Sequence, residues 1–261
     1  MSNSIQHRLG LVFAMVEEQQ GLTQYLQDTQ TQTVGNREYI TGTLWGVPCV
    51  CVLSGIGKVA AASTVTSLIQ QFGVSHIVLS GVAGAADHGL SVGDIVIADQ
   101  LIQHDMNVSP MLPKFEIPRT GKSRFDSCTD LSAQLRSAAE HFLANEFAEK
   151  ISNESQQQFA LNRVNIVNGL IGSGDQFIND MKVLAGLKLE LPDLLAVEME
   201  GAAIAQVCDD YQIPFAIMRT ISDEANDSAP LDFKLFIDEV AAQYSIGILR
   251  QFCAQWTHAN R

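Results

Sequence analysis

Apolar residues fall along this chain in two patterns. Continuous runs at 9–15, 76–80, 94–98 and 165–171 predict buried strands. Residues 38–45 and 47–53 predict two more strands around a turn at Gly46, Val47 and Pro48. Between such runs the apolar positions return at helical spacing. Ala61, Val65, Leu68 and Phe72 give a helix over 59–72 one apolar face. Asp130 is placed to cap a helix reaching residue 149, and the polar, Gln-rich stretch 151–161 reads as an exposed connection. Asp232 is placed to cap a last long helix through Phe236, Val240, Tyr244, Ile248 and Phe252. Strands interleaved with helices predict an α/β fold. With no internal repeat and no linker, residues 1–261 are expected to form a single domain.

One stretch concentrates polar chemistry. Residues 195–208 predict a strand and then a helix, and 215–223 a second strand. Glu198 and Glu200 sit at the mouth of the first strand, Arg219 and Asp223 at the mouth of the second. Ligands of open α/β sheets bind outside the carboxyl ends of the strands. These four side chains are therefore expected to converge on one crevice. A second candidate pair is Glu17 and Glu18, after the first strand, where an acidic first helical turn would explain them equally well.

Charge narrows the partners. The net charge is −13, and no basic stripe relieves it, which excludes nucleic acid as a natural partner. No run of about 18 apolar residues is present, so no membrane span is expected. The first ten residues are polar and lack the apolar core of a signal peptide, which predicts a cytoplasmic protein. Five cysteines, an odd number without a C-x-x-C pair, read as buried reduced thiols, with Cys49 and Cys51 on one face of a strand.

Several familiar motifs fail. Ser54-Gly55-Ile56-Gly57-Lys58 is no P-loop, because Val52 stands where glycine is needed. Gly81-Val82-Ala83-Gly84-Ala85-Ala86 is not the dinucleotide fingerprint, and no acidic ribose reader follows it. Ser173 lacks the first glycine of a nucleophile elbow, since residue 171 is Ile. Asp223 and Asp227 lack the ligand pattern of a calcium loop, so a metal-free site without a cofactor is expected. His104-Asp105 reads as a structural hydrogen-bonded pair. The segment 104–125, with Pro110, Pro113 and Pro118, is irregular, yet Met106, Met111, Leu112 and Phe115 suit a binding or interface loop.

Six separated motifs together carry a resemblance. They are Ala14-Met15-Val16-Glu17-Glu18, Ser54-Gly55-Ile56-Gly57-Lys58-Val59-Ala60-Ala61, Val92-Gly93-Asp94-Ile95-Val96, Ser173-Gly174-Asp175-Gln176-Phe177-Ile178, Val197-Glu198-Met199-Glu200 with Ala203-Ile204-Ala205, and Arg219-Thr220-Ile221-Ser222-Asp223. In this order the chain resembles the methylthioadenosine/S-adenosylhomocysteine nucleosidases of the purine nucleoside phosphorylase-like superfamily. The resemblance implies a three-layer α/β fold with a mixed, partly barrel-like central sheet flanked by helices. It implies hydrolysis of the N-glycosidic bond of a purine nucleoside by a homodimer. It assigns Asp223, steadied by Ser222, as the acid at purine N7, Glu18 as the base that activates water near Arg219, and Glu200 as acceptor from the ribose hydroxyls. Phe177 and the backbone of Ile178 would meet the base, and Met199 would pack under the ribose. Met15, Ile56 and Phe233 would line the 5′ pocket, together with a partner's 104–115 loop. Ordinary core packing would equally account for Ile56, Phe177 and Phe233.

The chain also departs from the family. Val16 replaces a common acidic residue, and Val82 stands where many members have a serine that helps hold the water. The segment 104–111 is less aromatic than usual, and 145–163 is long. Two other functions share these motifs. A phosphorylase would need an anion site of Arg, Lys and backbone donors, where this chain offers Glu17 and Glu18. A silent nucleoside-binding protein would have lost Glu18, Glu200 or Asp223, and all three are present.

Overall fold

The computed structural model describes residues 7–224 and 229–259. In chain order its elements are β1 (Leu9–Phe13), α1 (Val16–Gln19), β2 (Leu26–Val34), β3 (Arg37–Leu44), β4 (Val47–Leu53), α2 (Lys58–Phe72), β5 (His76–Ala85), β6 (Ile95–Gln103) and β7 (Arg124–Asp126). There follow α3 (Thr129–Asn145), α4 (Phe147–Lys150), α5 (Asn153–Gln158), β8 (Ile166–Ser173), α6 (Met181–Glu190), β9 (Leu194–Glu198), α7 (Gly201–Tyr211), β10 (Phe215–Asp223), α8 (Ala229–Phe236), a π-helical turn (Ile237–Ala241) and α9 (Ala242–Ala259).

The strands join in one mixed sheet in the order β10-β6-β8-β9-β5-β1-β4-β3-β2, with β7 on the edge of β6. Strand β5 also pairs with β10, which closes β10, β6, β8, β9 and β5 into a ring. This is the mixed, partly barrel-like sheet that the family resemblance implied. Helices α2 and α7 cover one face over a core that includes Val12, Val65, Leu68, Leu79 and Ile204. Helices α3 and α9 cover the other, over Leu11, Phe13, Val78, Leu135 and Phe252. Strand β1 contributes to both cores, which is why it is written as a continuous apolar run.

One strand went unpredicted, and two expectations need correction. Strand β2 escapes the hydrophobic pattern, because Leu26–Val34 alternates Gln and Thr and is exposed along nearly its whole length. It is an edge strand held by backbone pairing to β3, with no face to bury. Asp130 does not cap α3: Cys128 holds that position, and Asp130 sits inside the first turn, where a carboxylate still suits the helix dipole. That helix ends at Asn145. Its expected last residues form the separate turn α4, and the stretch 151–161 is largely exposed, as expected, but carries α5 and buries Ile151, Ser155 and Leu161.

The last helix also differs. It starts at Ala229, ahead of Asp232, and widens into the π turn before continuing as α9. Phe236, Val240, Tyr244, Ile248 and Phe252 are all buried, as their spacing predicted. A strict four-residue repeat overshoots one α-helical turn by about 40° at each step. The wider turn takes up part of that drift. Asn226, Asp227 and the side chain of Asp232 lie outside the described residues.

Phe142 of α3 fills the space above Gly247 of α9 and meets the Tyr244 ring at 5.5 Å between centroids. Phe142→Ala should lower unfolding free energy by about 3–5 kcal/mol, measured by urea denaturation. A loss below about 1 kcal/mol would show that this layer does not form the core described.

Candidate active site

The site is built around Arg219 of β10, whose side chain is fully buried. Its Nη2 donates to Glu198 and to Glu200 Oε2, the latter at 2.9 Å, and its Nη1 lies 3.8 Å from Glu18 Oε1. Three carboxylates from two separate segments therefore face one guanidinium. Burial alone would pull the guanidinium down, but Glu198, Glu200 and Glu18 outweigh it and hold the charge in place.

Each carboxylate is fixed by main-chain donors. The chain leaves β1 through Ala14 and turns into the single turn of α1, so that Glu18 folds back over the strand end. Its Oε2 accepts from the N–H of Ala14 at 2.7 Å and of Met15 at 2.9 Å, and its Oε1 from Val82 at 3.0 Å. Glu17, by contrast, does not line the cavity. Glu200 stands at the N-terminus of α7, and its Oε1 accepts from the Gly57 N–H at 2.9 Å.

Glu198 is occupied internally. Its oxygens accept from Ser173 Oγ, from the N–H groups of Glu200 and Gly201, and from Arg219. It lines the cavity wall, but its carboxylate serves the neighbouring helix terminus and the guanidinium. Ser173 also accepts from the Ala202 N–H at 2.7 Å, so it ties β8 to α7.

Strand β10 carries Asp223 to the same place by an irregularity. It pairs with β5 in regular register until Ile221, where the register shifts and Asp223 comes opposite Gly84. A bulge of this kind re-aims a side chain. Ser222 Oγ donates to Asp223 Oδ2 at 2.8 Å, and both residues are buried.

These groups open into a cavity of about 460 Å³, mouth included. Glu18, Glu198, Glu200, Ser222 and Asp223 give it polar walls, and Met15, Ile56, Val82, Phe177, Met199 and Phe233 give it apolar ones. Ile178 lines an adjoining recess with Gln176, Met199 and Asp223. The Phe177 ring, half-exposed, meets Phe233 edge-on at 5.6 Å. The structure thus gathers Met15, Glu18, Ile56, Phe177, Ile178, Glu198, Met199, Glu200, Ser222, Asp223 and Phe233 around one opening, with Arg219 behind the wall and Glu17 outside it. The crevice does not sit at a common end of parallel strands, because β9 runs antiparallel to β5 and reaches it from the other direction.

Gly81 was not foreseen. A Cβ there would strike Arg219 Nη1 and Glu18 Oε1, so only glycine lets the two charges approach the strand. The signal was present as a glycine inside an apolar strand, a mark of close approach.

Residues 8–254 match the family described as the phosphorylase superfamily. The 5′-methylthioadenosine/S-adenosylhomocysteine nucleosidase of Shewanella frigidimarina is 34% identical over 247 residues, covering 94% of this chain and 99% of that one. This chain belongs to that nucleosidase family. The family's enzyme from Neisseria meningitidis, solved with methylthio-immucillin-A, superposes with a TM-score of 0.82 at 29% identity, covering 95% of this chain and 99% of that one. Futalosine hydrolase of Helicobacter pylori superposes with a TM-score of 0.81 at 29% identity, covering 96% and 99%. As a member of the nucleosidase family, the chain is an N-glycosyl hydrolase.

The electrostatics give the nucleosidase a pH signature. Burial pushes the Glu200 carboxyl up, with Arg219 opposing and Glu198 adding to the rise, from 4.5 to about 7. Burial likewise raises Glu18 against the pull of Arg219 and three N–H groups. The folded chain then holds a proton that the unfolded chain releases. The contribution of this group to stability is fully present below the unfolded value and is lost as pH rises from about 4.5 through about 7. Thermal melts between roughly pH 5 and pH 8 should show that decline, and Glu200→Gln should flatten it. Equal slopes in both proteins would refute the assignment.

Proposed function

We propose that the cavity hydrolyses the glycosidic bond of an adenine nucleoside with a 5′-thioether, as in methylthioadenosine or S-adenosylhomocysteine. The observation that carries this reading is the position of Glu18. A carboxylate, not a cation, is held beside Arg219 at the cavity wall, with its oxygens fixed by three N–H groups. Such a group repels phosphate and accepts a proton from water.

In the proposed reaction Asp223, protonated and steadied by Ser222, gives its proton to purine N7. The C1′–N9 bond breaks with its electron pair leaving on the purine. The sugar passes through an oxocarbenium-like state, as in glycoside hydrolysis. Water adds to C1′ and its proton goes to Glu18. Glu200 accepts from the ribose hydroxyls, and its charge, with that of Glu18, favours the cationic sugar. Glu198 takes the supporting role that its contacts suggest: it orients Arg219 and the start of α7. Phe177 stacks on the base, Ile178 reads its edge through the backbone, Met199 packs beneath the ribose, and Met15, Ile56 and Phe233 receive the 5′ group.

The likeness to futalosine hydrolase, together with the altered segment 104–111, favours one further reading: the same reaction with a different 5′ substituent. The exposed apolar residues Ile56, Val59 and Met111, at 56%, 81% and 81% exposure, support a homodimer that covers them. The free cysteines, four of them buried, suit a reducing cytoplasm.

Release of adenine from methylthioadenosine, S-adenosylhomocysteine and adenosine, followed by chromatography with and without phosphate, tests the reading. Release should be independent of phosphate, and a strict phosphate requirement would make the chain a phosphorylase. Asp223→Asn and Glu18→Gln should each lower kcat by about 10²–10⁴-fold while nucleoside binding survives. Normal turnover in either variant would remove that residue from the mechanism. Sedimentation velocity should give twice the chain mass, and a monomer would exclude the dimer.

A further inference from the structure

The loop that carries Phe177 has no regular structure of its own. Between the end of β8 at Ser173 and the start of α6 at Met181, its first turn is held by three contacts. The Gly174 N–H donates to the Glu198 carbonyl at 3.1 Å. The Asp175 N–H donates to Asp105 Oδ2 at 3.0 Å, and Asp175 Oδ1 accepts from the Lys58 N–H at 2.8 Å.

Asp105 is the hub of this arrangement. Its other oxygen, Oδ1, lies 2.6 Å from Lys58 Nζ, which also donates to Gln103 Oε1 at 3.2 Å. The Lys58 side chain is only 16% exposed, so its ammonium depends on these partners. Gln103 is oriented in turn by Gln206 of α7, at 2.7 Å. Immediately before Lys58, the Gly57 N–H donates to Glu200. One carboxylate thus joins the end of β6, the start of α2 and the Phe177 loop, and Gly57, just ahead of α2, continues the link to Glu200. Burial pushes Asp105 up, but Lys58 and the Asp175 N–H outweigh it and hold the carboxyl below its ordinary value, so it stays charged.

We propose that Asp105 is a positioning residue that, through Lys58 and Asp175, holds Phe177 in place to receive the nucleobase. It touches no reacting atom. Its effect is to order the loop in advance, so that binding the base need not supply that ordering. The proposal rests on the assignment of Phe177 to the base. It also corrects the reading of His104-Asp105 as a hydrogen-bonded pair: the aspartate looks outward to Lys58 and the Asp175 N–H, while the His104 ring is buried against Gly172 and Gly174.

The test has three readouts. In the ligand-free protein, Asp105→Ala should raise amide exchange at 174–177 and leave α9 unchanged. By calorimetry it should weaken adenine binding about tenfold, with KM rising in parallel and kcat within about threefold of the parent. Asp105→Asn, which keeps one of the two acceptor oxygens and can serve Lys58 or the Asp175 N–H but not both, should bind adenine with an affinity between those of the parent and Asp105→Ala. In a Phe177→Ala background, Asp105→Ala should add no further loss. Unchanged exchange and adenine affinity in Asp105→Ala, or additive losses in the double variant, would overturn the proposal. A parent protein that binds no adenine would instead overturn the functional reading, and the exchange data would still decide whether Asp105 orders the loop.

Discussion

A guanidinium withdrawn completely from water is the constraint around which this molecule is arranged. An unpaired charge in such a place would be prohibitive, and three carboxylates answer it. Three carboxylates against one cation are an excess of negative charge. The excess is spread over N–H groups at the end of β1, on β5 and at the start of α7. The donors beside β1 and α7 exist because a strand stops and a helix begins there, and Val82 lends its N–H from β5 beyond the reach of β1. The arrangement is thus inseparable from the fold. Gly81 sets its closeness, since any side chain on that strand would hold the charges apart.

The closed ring of strands gives the site its rigidity. Strand β10 is held by β5 on one side and β6 on the other, so Arg219 is clamped on both edges. Only beyond Ile221 does the pairing relax, and there the shift in register turns Asp223 into the cavity. Regular pairing holds the residue that must stay charged, and irregular pairing presents the residue that would exchange a proton.

The sequence made much of this legible, and for identifiable reasons. Buried strands announce themselves as apolar runs, and acidic residues just past them stand out against that background. Glu18, Glu200 and Asp223 were conspicuous in this way. Less visible were features that rest on backbone pairing or on contacts between distant segments. Strand β2 buries almost nothing, so its pattern of Gln and Thr carries no period. The internal engagement of Glu198 depends on Ser173 and on the first N–H groups of α7, which no local pattern connects. Asp105 meets Lys58 and Asp175 across 47 and 70 residues of chain. The break after Asn145 replaced a predicted continuous helix and lets Phe147 and Ile151 turn back onto the core that α3 itself covers.

The π turn at Ile237–Ala241 has a consequence for how such a chain can diverge. A turn of this kind amounts to one residue more than an α-helix would hold. Deleting that residue would restore an ordinary α-helix with α8 and α9 each still in its seat, because the wide turn absorbs the extra residue where it stands. Closing the turn to α-helical geometry with no residue lost would instead rotate α8 by about 100° and carry Phe233 away from Phe177. The wide turn is thus a shim: it lets the chain between the core helix and the cavity mouth differ by one residue while the apolar wall keeps its shape.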